Sequence, residues 1–192
     1  MEKKYNKIIL ITAPSGSGKT SIVKYLMKEF PRLAFSVSAT TRRPRDNEKN
    51  GVDYYFMSEE EFKDKIHHKE FLEWEMVYEG KYYGTLKSEM ERIWTLQKVP
   101  VLDIDVQGAI HVQQQYPVNT MSIFIQAPSP EELKKRLQSR GSETEETLTA
   151  RVNKSAYEMT FKNHFENVIV NNDFETACRE TGKIVAEFLA KD

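Results

Sequence analysis

The sequence predicts an α/β protein, a parallel sheet flanked by helices, and three observations carry that prediction. An apolar run, Ile8–Ile11, leads through a short small-residue loop into a segment with apolar residues at helical spacing. A second apolar run, Val99–Leu102, ends in the carboxylates Asp103 and Asp105. Further apolar runs, Met121–Ile125 and Val168–Val170, alternate with helical patterns. Short continuous apolar strands separated by helices are what a sheet covered on both faces requires.

Ile8-Ile9-Leu10-Ile11 reads as a buried strand, and Ala13-Pro14-Ser15-Gly16-Ser17-Gly18-Lys19-Thr20 follows it. That run fits the phosphate-binding pattern G-x-x-x-x-G-K-[ST] everywhere but the first position, where Ala13 stands for glycine. Such a loop turns successive backbone N–H groups inward around phosphate oxygens, and the helix N-terminus adds partial positive charge. Gly16 and Gly18 supply the required backbone freedom. Lys19 reaches the β- and γ-phosphates, and the Thr20 hydroxyl takes one position on Mg²⁺. Alanine at position 13 costs little if φ is negative and distorts the loop if φ is positive. The helix after it runs from Thr20 to Phe30, with Ile22, Val23, Leu26, Met27 and Phe30 on one side. These features predict a P-loop NTPase-type core that binds a nucleoside triphosphate.

The middle, from about Phe35 to Met90, is rich in aromatic and charged residues and does not continue the strand–helix alternation. Ser36 to Arg45 packs four hydroxyls and three arginines into ten positions. Arginine forks match phosphate oxygens bidentately, so the run suits a phosphate site. A solvated basic face or a nucleic-acid patch has the same composition. Tyr54 and Tyr83 are tyrosines able to donate to a phosphate, and Glu73 is a carboxylate among large apolar neighbours. On its own, Glu73 also suits the exposed face of an amphipathic helix. His67 and His68 point to different faces of a helix and have no evident partner, so they read as surface residues.

After the Asp103 strand, Val106–Tyr116 has helical character. Met121–Ile125 is a strand, and a helix follows from Glu131 that carries Leu133, Arg136, Leu137 and Arg140. Ser139–Ser142 breaks it, and Thr144 opens a helix expected to reach about His164. Val168–Val170 is the last strand and Glu175–Lys191 the last helix. In such sheets ligands bind at the carboxyl ends of strands, where Ala13, Asp103 and Asn171 fall.

The bulk properties bound the rest. The 192 residues suit one compact domain with a small insertion. A formal charge of −1 gives no bulk attraction for nucleic acid or membrane. No apolar run approaches the roughly 20 residues of a membrane span. No signal-peptide pattern opens the chain, and Cys178 is alone, which excludes an internal disulfide. The expected location is cytoplasmic.

Taken in order and spacing, Ala13–Thr20, Ser36–Arg45 with Gly51–Phe56, Phe71–Trp74, Tyr82–Thr85, Leu102–Gly108, Leu133–Thr147 and Val168–Asp173 resemble the guanylate kinases over nearly the whole chain. The run S-V-S-x-T-T-R-x-P-R is the most specific of them. The resemblance implies transfer of the γ-phosphoryl of MgATP to GMP, with dGMP a further acceptor. It implies a core of residues 1–34 and 91–192, a helical lid at about 136–151, and an inserted mixed α+β GMP-binding segment at 35–90. Arg42, Arg45, Tyr54 and Tyr83 would hold the GMP phosphate, and Ser38, Glu73, Thr85 and Asp105 would read the guanine. Asp103 would orient Mg²⁺ and the phosphates, through water. Arg136, Arg140 and Arg151 would clamp ATP and the transferring group, although each could equally pair with nearby glutamates on its helix surface. Asn171 would lie near the adenine. The stretch Val77–Gly80 holds one residue more than the family pattern, expected to lengthen a loop.

Three rivals remain at this stage: a non-catalytic guanylate-kinase-like scaffold module, a P-loop kinase of another acceptor, and an RNA-binding protein using Arg42–Arg45. The intact loop argues against the first, the grouping of Ser38, Glu73 and Asp105 against the second, and the charge balance against the third. Expected partners are ATP and GMP, without nucleic acid or membrane, in a monomer or homodimer.

Overall fold

The structure is a computed structural model that describes residues 6–139 and 145–191. Its centre is a five-stranded sheet in the order β2-β7-β1-β8-β9. The strands are β1 (Ile8–Thr12), β2 (Leu33–Phe35), β7 (Val99–Asp103), β8 (Thr120–Gln126) and β9 (Asn167–Val170), and every pairing is parallel. β1 is buried along its whole length, and its alternation divides the core. Ile9 and Ile11 pack with Ile22 and Leu26 of α1 (Lys19–Glu29) and with Ala177, Cys178 and Val185 of α7 (Phe174–Ala190). Ile8 and Leu10 point the other way, to Val106, Ala109 and Val112 of α4 (Val106–Gln115) and to Phe124 and Phe165. Period-two alternation in a strand covered on both faces produces these two layers from one apolar run.

The middle of the chain forms a second, four-stranded sheet, ordered β4-β3-β6-β5. Its strands are β3 (Ala39–Thr40), β4 (Tyr55–Phe56), β5 (Phe71–Tyr78) and β6 (Lys81–Leu86). β3 pairs parallel with β4, and the β3–β6 and β5–β6 pairs are antiparallel. α2 (Glu59–His67) covers it, starting at a capping box in which Ser58 and Glu61 satisfy each other's backbone amides. Phe62 of α2 stacks on Phe71 of β5, ring centres 4.2 Å apart. α3 (Lys87–Thr95) returns the chain to the core sheet. Its buried Glu89 accepts from the Val37 amide at 3.0 Å, from the Tyr55 hydroxyl at 2.9 Å and from Arg92. One carboxylate therefore ties α3 to the segment between β2 and β3 and to β4.

α5 (Pro130–Gln138) and α6 (Glu145–Met159) pack through Leu133, Leu137, Leu148 and Val152. The helix expected to reach His164 ends at Met159, and Lys162–His164 is a separate 3-10 turn. The break lets Phe165 turn inward onto Phe124, ring centres 5.4 Å apart. The residue expected to lengthen the loop at Val77–Gly80 does not do so. β5 and β6 are joined by Glu79 and Gly80 alone, and a register shift between Met76 and Tyr78 takes up the extra residue within the strand. Gly80 accommodates the turn at φ +69°.

Candidate active site

The strands of the core sheet end at one edge, and there a cleft of about 470 Å³ opens between the two sheets and α6. Its floor is the loop from Ala13 to Thr20. Gly16 and Gly18 both adopt φ +90°, which a side-chain-bearing residue takes only with strain. Gly18 begins α1 with no side chain capping the helix, so the helix amides are open to a ligand. Ala13 is not among the non-glycine residues with positive φ, so alanine costs this position little. Lys19 forms an ion pair with Asp103 and donates to the Ile104 carbonyl at 3.3 Å. Thr20 and Asp103 both line the cleft. A hydroxyl and a carboxylate there are the hard oxygen donors that Mg²⁺ prefers.

Asn171 lies beneath the loop. It is buried, and its side-chain amide donates to the Ser17 carbonyl at 2.8 Å, which ties β9's end to the loop.

The opposite wall belongs to the second sheet. Glu73 of β5 pairs across the ladder with Thr85 of β6, and Glu75 with Tyr83, so these four side chains share one face. Glu73 is 6% exposed and the Thr85 hydroxyl opposite it is buried too; neither Glu73 Oε1 nor that hydroxyl makes a well-formed hydrogen bond, although the two side chains lie within reach of each other. Burial pushes the Glu73 carboxyl up to about 7 against the opposing pull of Thr85, and Asp105 adds to the rise. Ser38, Tyr54, Tyr83 and Asp105 face the same cleft. Asp105 also caps α4, accepting from the Gly108 amide at 2.8 Å.

Arg42 and Arg45 sit at the rim on the loop between β3 and β4, outside the cleft lining. The Arg42 guanidinium lies over the Tyr54 ring, 4.9 Å from its centre, and over Phe56 at 5.6 Å. Both of its terminal nitrogens donate to Glu48 at 2.6 Å.

The residues expected in the lid divide. Arg151 lines the cleft. Arg136 pairs with Glu132 on its own helix at 3.1 Å, as the surface-pairing alternative has it. Arg140 and the rest of 140–144 lie outside the described residues.

Sequence reasoning missed Glu75, Lys154 and Glu158. The neighbouring Asp105 carboxyl, with burial, lifts the Glu75 carboxyl well above the usual carboxylate range. Lys154 and Glu158 are one turn apart on α6 and line the cleft. The signal for Glu75 was its place two residues after Glu73, which puts both on one face once the segment is known to be a strand.

The guanylate kinase family profile matches residues 5–188. The chain is 47% identical to a guanylate kinase of Bacteroides thetaiotaomicron, over 97% of this chain and 91% of that protein. It is 45% identical to one of Porphyromonas gingivalis, over 96% and 99%. Among solved structures it resembles a guanylate kinase from Anaplasma phagocytophilum, with a TM-score of 0.77 at 30% identity, covering 96% of this chain and 87% of that one.

Proposed function

We infer, for a chain that belongs to the guanylate kinase family and so transfers a phosphoryl group from ATP to GMP, how its residues divide that reaction. The observation that supports the assignment best is Glu73, which lines the cleft floored by the phosphate loop with its buried Oε1 lacking a hydrogen-bond partner, beside the buried Thr85 hydroxyl across the ladder. Orphaned polar atoms cost stability unless a ligand satisfies them. Guanine presents N1–H and the 2-amino group as adjacent donors, which one carboxylate accepts together, and its O6 takes a hydroxyl donor. Adenine lacks the 2-amino group and would leave the Glu73 carboxylate unpaired.

In this reading Ser38, Glu73, Thr85 and Asp105 hold the guanine, and Arg42, Arg45, Tyr54 and Tyr83 hold the acceptor phosphate. The amides of Ala13–Thr20 and Lys19 hold the donor phosphates. Asp103, which now neutralises Lys19, releases it when the nucleotide arrives. Thr20, and Asp103 through water, would hold Mg²⁺ with the nucleotide, and the ion would offset charge on the phosphoryl oxygens. A loose phosphoryl transition state needs alignment and charge neutralisation from the protein rather than a strong base. Arg151 of α6 supplies a further positive charge at the cleft. Arg140 is assigned the same role by resemblance alone, and Arg136 joins it only by leaving Glu132.

The same reading treats residues 35–90 as the acceptor-binding unit, residues 1–34 and 91–192 as the donor-binding unit, and about 136–151 as the lid. Among the described residues no helix is long and apolar enough to cross a membrane.

ADP release with MgATP, measured in parallel against GMP, AMP, UMP and CMP, tests the assignment. Turnover with GMP alone is expected, and Lys19→Ala should abolish it while leaving the fold intact. Comparable turnover with AMP would move Glu73 and Thr85 away from the base.

A further inference from the structure

We propose that Glu48 is a positioning residue for the acceptor phosphate: it fixes the Arg42 guanidinium so that the remaining edge faces Tyr54 and Tyr83. The inference rests on the reading of Arg42 as a phosphate ligand, and goes beyond it by naming the group that orients that ligand.

A guanidinium has five N–H donors in a rigid plane. Glu48 takes one from each terminal nitrogen, Arg42 Nη1 to Oε2 and Nη2 to Oε1, both at 2.6 Å. The Arg43 carbonyl takes the second Nη1 donor at 3.0 Å. What remains is the side edge made by Nε–H and the second Nη2–H, two parallel donors of the spacing a phosphate accepts. The Tyr54 and Tyr83 hydroxyl groups lie against the same guanidinium, and the two rings meet edge-on with centres 6.0 Å apart. That edge therefore meets the two tyrosine hydroxyls, which it engages in this structure, and both tyrosines line the cleft.

Stacking over Tyr54 and Phe56 holds the plane of the guanidinium but leaves it free to rotate within that plane. The two-point bond to Glu48 removes that rotation. Glu48 also accepts from the Arg45 amide at 2.8 Å, so one carboxylate sets the loop position of both arginines assigned to the phosphate. Arg42 holds the Glu48 carboxyl down at about 2, so the pair stays charged across the working range.

The test compares GMP with guanosine, which has the base and ribose but no phosphate. Calorimetric binding of both ligands is measured for the wild type, Glu48→Gln, Glu48→Asp and Arg42→Gln. Glutamine keeps the length of Glu48 but offers only one acceptor atom, so the two-point bond is lost. GMP should weaken about tenfold in Glu48→Gln, the scale of a lost charge-assisted hydrogen bond, with guanosine and the KM for ATP unchanged. Glu48→Asp should restore part of the loss. Unchanged or tighter GMP binding in Glu48→Gln overturns the proposal, the tighter result making Glu48 a competitor for Arg42. Equal weakening of GMP and guanosine overturns it in favour of general support of the loop. If Arg42→Gln leaves the GMP-to-guanosine ratio intact, the phosphate assignment itself fails; if only the Glu48 variants do so, Arg42 stands and the positioning role falls.

Discussion

Glu73 gives up its proton near 4.5 in an unfolded chain and near 7 in the folded one, because burial penalises its charge. Between those values the folded protein binds the extra proton, so the ligand-free protein loses stability as pH rises through that window. Guanine reverses the preference, since its two donors reward the ionised carboxylate. GMP binding should therefore tighten as pH rises from about 6 to 8. Glu73→Gln cannot ionise, so its pH profile should lack this component, and GMP should bind about 10- to 100-fold more weakly than to wild type at pH 8. The KM for ATP should not move. A wild-type and variant profile of the same shape would take the titration away from Glu73.

At the scale of the element, the carboxylate wall depends on how closely α4 approaches β5. Gly108 sits in the first turn of α4, and a Cβ there would lie 2.7 Å from Glu73 Oε2 and 3.2 Å from Cδ. Alanine is the better helix former by up to about 1 kcal/mol, so Gly108→Ala should leave stability near or above wild type. The displaced Glu73 should nonetheless raise the KM for GMP about tenfold, on the scale of one weakened hydrogen bond to a charged group. Thermal melting and steady-state kinetics on the same preparation separate the two effects, and a normal KM would mean that Glu73 has room to shift.

This contact shows why the site was only partly legible in the sequence. Lys19, Thr20 and the two loop glycines sit at fixed spacing in one segment, so local pattern finds them. Glu73 was found through a resemblance, because its burial is produced by α4, more than thirty residues away in the chain. β3 and β4 have two residues each, too few to display alternation, so the second sheet was not visible as a sheet. Arg136 fits a lid and a surface pair equally well by pattern, and only coordinates show it on Glu132.

Across the whole molecule the two layers of the core are unequal in what they support. The α4 layer carries Asp105 and, through Gly108, the position of Glu73. The α1 and α7 layer supports the phosphate loop, since α1 begins at Gly18. The parallel sheet and the helices flanking it were legible as fold class from the apolar runs of β1, β7, β8 and β9, whereas the strand order was not. β2 was not, because Leu33–Phe35 is a three-residue edge strand after a proline.

Cys178 belongs to the second of these layers, buried against α1 and β1, and burial raises its thiol further above neutrality. A thiol so placed reacts only when α7 comes away from the sheet, so its labelling by a disulfide reagent clocks that opening. Because the chain has no other cysteine, the signal has a single source. ATP holds the loop at the head of α1 and should slow labelling by the factor 1 + [L]/Kd, about a hundredfold at one hundred times its Kd, if opening of α7 also dissolves the loop. Labelling unaffected by ATP would mean that α7 opens by itself while α1 and the loop stay folded. The lone cysteine thus reports, without any added probe, whether the donor site and the back of the sheet unfold as one cooperative unit.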